Sequence, residues 1–190
     1  MSEMMRIVGA KPRGRLIRPD TLKAIREATV GYVRVHHRLP DAVESYAQRA
    51  AEWLPVSREI LVPGGETSRV GLLLDGLPEA TERAWLRRDL EHWALRFAAL
   101  CGGRDFHAGL VEDGTEAEGQ GARERMKMVL TYAGSGVEFR APGATKTLLG
   151  TPGDTVLLKG QRLTREAPLR RTPPGPRLRR MAFYFVDLGV

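Results

Sequence analysis

The sequence predicts an α+β fold. A mostly helical part over residues 1–103 packs on a part built of short strands over residues 104–190, and together they make one domain. Three observations predict this. A long amphipathic stretch stops at Gly102-Gly103. After it the apolar period changes from 3.6 to 2, the change from helix to half-buried strand. Gly and Pro clusters then divide the strand-like runs at short intervals, as in a sandwich or jelly roll.

The elements follow in order. Asp20 suits the N-cap of a short helix carrying Leu22 and Ile25. A short strand is expected over Gly31–His36. Pro40 and Asp41 open a second helix whose apolar residues Val43, Tyr46, Ala47, Ala50, Trp53 and Leu54 keep helical spacing until Pro55 ends it. Arg58–Val62 and Arg69–Leu74 read as strands, and the intervening Pro63-Gly64-Gly65 turn suggests a hairpin. The strongest helix runs from about Glu79 to Leu100. Pro78 suits its start, and Leu86, Leu90, Trp93, Phe97 and Leu100 form its apolar stripe. Val111–Arg125 is polar and rich in Gly and Glu, a loop. Met126, Met128, Leu130 and Tyr132 alternate with Lys127, Val129 and Thr131. Val137 and Phe139 flank Glu138, Asp154–Lys159 is a short strand, and Met181, Phe183 and Phe185 alternate with Ala182, Tyr184 and Val186. Turns are expected at Gly134-Ser135-Gly136, Pro142-Gly143, Pro152-Gly153 and Pro173-Pro174-Gly175-Pro176.

Composition narrows the class. With 42% hydrophobic and 28% charged residues the chain is globular rather than disordered. It has no apolar run long enough for a membrane span and no apolar core in its N-terminal segment of the kind a secretory signal needs. Its one cysteine, Cys101, forms no internal disulfide, which points to a reducing, cytoplasmic setting. The formal charge of +7 brings polyanions, nucleic acid included, into consideration as partners through a basic surface. The charge gathers at Lys11, Arg13, Arg15 and Arg18 and again at Arg162, Arg165, Arg170, Arg171, Arg177, Arg179 and Arg180. Aromatic residues are sparse (6%) and not interleaved with it, which disfavours base stacking on single strands.

His107, in Arg104-Asp105-Phe106-His107-Ala108-Gly109, opens the segment of greatest chemical interest. Thr131-Tyr132-Ala133-Gly134-Ser135-Gly136-Val137-Glu138-Phe139 follows, then Gly153-Asp154 through Lys159-Gly160, then Arg170-Arg171-Thr172-Pro173. In this order the segments resemble the bacterial domain-of-unknown-function 1826 family. That family carries Phe-His-x-Asp, Thr-Tyr-x-Gly-Pro-Gly-Thr-Glu-Trp, Gly-Asp with a later Lys-Gly, and a late His-Arg-Ser-Pro. More distantly, the chain is similar to iron/2-oxoglutarate dioxygenases of the prolyl-hydroxylase type. The resemblance spans roughly residues 100–188. It implies a double-stranded β-helix, a cupin-like jelly roll, with Fe(II) and 2-oxoglutarate as cofactors held by a His, a carboxylate and a second His.

The departures bear on function. His107 stands as the first ligand, but the acidic position two residues on is Gly109, and the late His aligns with Arg170, whose guanidinium stays protonated and cannot bind a cation, or, with the gap moved, with Leu169. Asp113, or Glu112, is the loop carboxylate available to complete a site with His107. On the cosubstrate side the resemblance places Arg177, with Arg179 two residues on, and Tyr132 against a carboxylate. Arg170 would put positive charge where the metal sat. The preferred expectation is a metal-free or metal-poor relative of the oxygenase fold that binds a small acid or a protein partner. The alternatives are an iron-dependent 2-oxoglutarate oxygenase completed from the loop, and a basic nucleic-acid-binding accessory protein.

Overall fold

In the computed structural model the described residues are 5–6, 19–27, 30–55, 58–111, 124–140, 145, 147–160, 162–163, 169–171 and 180–189. Ten strands lie among them: β1 (Met5–Arg6), β2 (Tyr32–His36), β3 (Glu59–Val62), β4 (Phe106–Leu110), β5 (Met126–Ala133), β6 (Glu138–Arg140), β7 (Leu148–Leu149), β8 (Asp154–Lys159), β9 (Leu169–Arg171) and β10 (Met181–Asp187). The α-helices are α1 (Asp41–Ala50) and α2 (Thr81–Leu100). Three 3-10 segments, Pro19–Arg26, Ala51–Trp53 and Thr67–Leu74, complete the helical layer.

The strands form two antiparallel sheets. Seven make the larger, in the order β1-β2-β8-β5-β10-β4-β3, and three make the smaller, in the order β7-β6-β9. The mixed helix-and-sheet class expected from the sequence is the one observed. The first half contributes more than helices, because β1, β2 and β3 extend both edges of the sheet built by the second half.

Alternation sends the two faces of the larger sheet to different partners. Met128, Leu130, Phe183, Phe185, Phe106 and Leu157 face the helices and share one core with Leu86, Leu90, Trp93 and Phe97 of α2. Phe97, Phe106 and Phe185 meet with ring centroids 5.3–5.9 Å apart. The opposite face meets the smaller sheet, where Phe139 of β6 packs edge-on against Tyr32 at 4.9 Å, beside Val156 and Leu158. The helix α2 stops as its two glycines dictate. Gly102 and Gly103 have φ of 73° and 76°, and their N–H groups donate to Ala99 O and Ala98 O at 3.3 and 2.9 Å, closing the last turn.

One expected element is corrected. Arg69–Leu74 is not a strand and makes no hairpin with Arg58–Val62. Thr67–Leu74 is a 3-10 segment, and β3 pairs instead with β4. Val70, Leu73 and Leu74 are buried at three- and four-residue spacing, so a helical turn buries them together where a strand would split them between two faces. The Pro63-Gly64-Gly65 turn remains, held by Gly64 N–H on Asp105 Oδ1 at 3.1 Å. The expected Leu22 helix is the 3-10 segment beginning at Pro19.

Strand β2 is fastened to β8 by a buried carboxylate. Asp154 accepts from Arg34 Nε at 3.0 Å and Nη2 at 2.5 Å, and from the Thr151 N–H and hydroxyl, both at 2.7 Å, while His36 Nδ1 lies 3.1 Å away. Burial pushes this carboxyl up, but hydrogen bonds from Arg34 and Thr151 outweigh it and hold its pKa below the ordinary aspartate value.

This packing sets two expectations for mutants. Leu90→Ala or Phe97→Ala should cost about 2–5 kcal/mol in a denaturant melt, because each leaves a cavity under the sheet. Asp154→Asn should cost about 3 kcal/mol at neutral pH by leaving Arg34 without its counter-charge. The folded pKa is depressed, so the carboxylate's contribution is fully present above the unfolded value of about 4 and lost as pH falls through the folded one. The stability gap between wild type and Asp154→Asn should therefore narrow below about pH 4. A gap constant with pH would show that the carboxylate's charge does not matter.

Candidate functional site

The register of the larger sheet builds the site on the face away from the helices. Tyr32, Leu158, Lys127, Val186, His107 and Leu61 form one row across β2, β8, β5, β10, β4 and β3. Arg34, Val156, Val129, Tyr184, Gly109 and Glu59 form the next. Chemistry gathers at the β4–β3 end. His107 Nδ1 lies 2.7 Å from Glu59 Oε1, and the Tyr184 hydroxyl donates to Glu59 Oε2 at 2.5 Å. Lys127 Nζ sits 4.8 Å from the Tyr184 ring centroid, a cation–π contact. Lys127 is buried (7% exposed), whereas the Glu59 side chain is 55% exposed and that of His107 36%. The cluster thus has a floor and a rim.

Electrostatics fix the protonation pattern. The Tyr184 hydrogen bond is the main influence holding the Glu59 carboxyl below its ordinary range. It outweighs the opposing effect of partial burial and is helped by the hydrogen bond and charge of His107 and by the charge of Lys127. An ionised carboxylate only accepts hydrogen bonds. The proton between Glu59 and His107 is therefore on Nδ1, and in the neutral ring Nε2 carries the lone pair.

Gly109 has a physical reason. A Cβ there would lie 2.6 Å from the Tyr184 hydroxyl oxygen, 2.7 Å from its Cζ and 2.8 Å from the Arg58 carbonyl oxygen. The space into which a carboxylate side chain would have to grow is filled by the phenol and the neighbouring backbone. An iron triad built on His107 and its second neighbour does not fit these residues. No group of three or more His, Cys, Asp or Glu able to hold a metal occurs among the described residues.

The other expected site residues separate. Tyr132 is on the opposite face, buried under α2, where its hydroxyl donates to Asp89 Oδ2 at 2.6 Å. Burial, then the Asp89 charge and hydrogen bond, push its pKa well up. It does not share a face with His107, because β5 alternates and Lys127, Val129 and Thr131 take the other side. Arg170 lies on β9, in register with Phe139 of β6. Asp113, Glu112, Arg177 and Arg179 lie outside the described residues, as does most of the expected basic surface. Cys101 is buried, and burial, with Asp187 nearby, pushes its thiol up to about 12, so it is no nucleophile at neutral pH. No helix among the described residues is long and apolar enough to cross a membrane.

Glu59, Lys127 and Tyr184 were not singled out by sequence. The available signals were a carboxylate opening an otherwise apolar Glu59-Ile60-Leu61-Val62 run and a lysine inside a mostly apolar strand, β5. Neither says that residues 125 positions apart in sequence meet.

No family model matches the chain, and no curated protein does. Among solved structures, the chain is similar to a Neurospora crassa protein in its C-terminally truncated apo form, with TM-score 0.46 and 9% identity over 89% of this chain and 87% of that one. A prolyl hydroxylase from Trichoplax adhaerens, in complex with a hypoxia-inducible-factor oxygen-degradation-domain peptide, gives TM-score 0.43 and 9% identity over 90% and 93%. The same Neurospora crassa protein at full length, in complex with alpha-KG, gives 0.41 and 13% over 88% and 77%. Likeness of this degree assigns no activity to the chain.

The filled space above Gly109 makes a direct prediction. Gly109→Ala should destabilise by roughly 1–3 kcal/mol in chemical denaturation. Placing it in a Tyr184→Ala background should recover part of that loss, because the phenol supplies the two nearest atoms. Strict additivity of the two substitutions would contradict the packing described.

Proposed function

We propose that this chain is a double-stranded β-helix protein that binds a small carboxylic acid, or a protein partner presenting one, without the iron triad of the oxygenases it resembles. The observation that carries the reading is the Tyr184 phenol over Gly109. It makes the missing carboxylate a matter of space, so the position cannot recover a metal ligand through a side-chain change alone.

Further observations support it. Two antiparallel sheets, one with a β8-β5-β10-β4 centre and the other in the order β7-β6-β9, support a jelly-roll reading. The face between the sheets carries a buried lysine where an acid can be met by charge. Lys127 is the anchor for the acid, with the Glu59–His107–Tyr184 cluster beside it at the rim. Arg170 of β9, in register with Phe139 of β6, aligns by motif order with the metal-binding histidine of the family the chain resembles.

The test is metal content by mass spectrometry after purification without a metal-affinity tag, then reconstitution with ferrous iron and calorimetric titration with 2-oxoglutarate as probe. The expected outcome is substoichiometric metal and acid binding that is independent of iron. Lys127→Met should weaken that binding by about tenfold or more. About one metal per chain, lost in His107→Ala, would overturn this reading in favour of an iron-dependent oxygenase.

A further inference from the structure

The cluster at the β4–β3 end has more parts than binding an acid requires. A lysine alone recognises a carboxylate. Here an oriented histidine stands beside it, and the carboxylate that orients the histidine is itself fixed. Glu59 receives Nδ1–H from His107 on one oxygen and the Tyr184 hydroxyl on the other, so neither oxygen is left to turn the group away. The three residues come from β3, β4 and β10, with β4 paired to both of the others. The imidazole is thus set in one tautomer on a rigid support, the arrangement that a general base needs. Its second nitrogen belongs to a side chain about a third exposed, while the lysine lies deeper on the same face, above the Tyr184 ring.

We infer that His107 is a general base that enolises a small 2-oxo acid, removing a proton from the carbon beside the carbonyl while Lys127 faces the oxygen that gains charge. This rests on the acid-binding reading and names the chemistry of that same site. In the step, the Nε2 lone pair takes a C3 proton. The C–H electron pair becomes the C2–C3 double bond, and the carbonyl π pair moves to oxygen, giving an enolate opposite the Lys127 ammonium. Protonation of C3 by the imidazolium reverses the step. No oxidant, reductant or metal enters the balance. In deuterated water the imidazolium exchanges its proton with solvent, so each reversal can deliver deuterium to C3. Glu59 is a positioning residue: it holds the tautomer and supports the imidazolium that forms.

The experiment is proton NMR of 2-oxoglutarate in deuterated water with the full chain, following loss of the C3 methylene signal against protein-free buffer. Ligand line broadening in the same samples reports binding. Exchange faster than in buffer is expected. His107→Gln should slow it by about 100-fold, far more than it changes line broadening, the loss typical for removal of a general base. Glu59→Gln should lower the turnover rate more than it weakens binding, whereas a merely structural role would leave the rate per bound ligand unchanged. Binding without accelerated exchange would overturn the base assignment and leave the acid site standing. Exchange unaffected by His107→Gln would overturn the assignment to that residue. Absence of line broadening with wild type would overturn the acid site itself, and this inference with it.

Discussion

The central strands have no face that can be left to water. Every residue of β5 and β8 is buried, as are six of the seven in β10. A sheet this apolar needs cover on both sides, and the rest of the structure is organised around supplying it. On one side α1, α2 and the 3-10 segments lay down a thick aliphatic and aromatic layer. On the other the cover is thinner, three short strands whose Phe139 and Leu148 reach Tyr32, Val156 and Leu158.

That asymmetry decides where polar groups sit. Under the thin cover, Lys127, Thr131 and Asp154 are buried on the sheet itself. A buried charge persists only if it is hydrogen-bonded or paired. Asp154 meets this condition locally, with donors from the turn before it and from the neighbouring strand. Lys127 lies against an aromatic face within the field of Glu59. The thick side has its own polar knot, where Asp89 accepts from Tyr132 with His37 Nε2 3.6 Å away. Both ring nitrogens of His37, together with Trp93 Nε1, find no hydrogen-bond partner among the described protein groups. Buried groups of this kind are ordinarily met by ordered water.

The relation between His107 and Gly109 shows why a motif position is not a site. By spacing, the two residues lie on one face of a strand, as a metal dyad would. The register then sets Tyr184 directly across from Gly109, and the phenol crosses that face to reach Glu59. The same phenol that orders Glu59 also fills the space beside Gly109. His107 gains an oriented ring from it while its supposed partner position loses the room for a side chain. The absence of room for a side chain at Gly109 and the hydrogen-bond network around Glu59 are two consequences of one side chain.

The local elements were legible in the amino-acid pattern alone. The stripe of Leu86, Leu90, Trp93 and Phe97 required a helix, the paired glycines stopped it, and the alternation in Met126–Tyr132 and Met181–Val186 required strands. These are short-range consequences of period and backbone freedom. It misread Arg69–Leu74, because a short continuous apolar run fits a strand or a helical turn until its neighbours decide. It could not place Tyr132, whose side follows from which face of β5 the helices cover. Only the tertiary structure brought Glu59, Lys127, His107 and Tyr184 together. Their meeting depends on strand order and register across four non-adjacent segments, and no residue carries that information in its immediate neighbours.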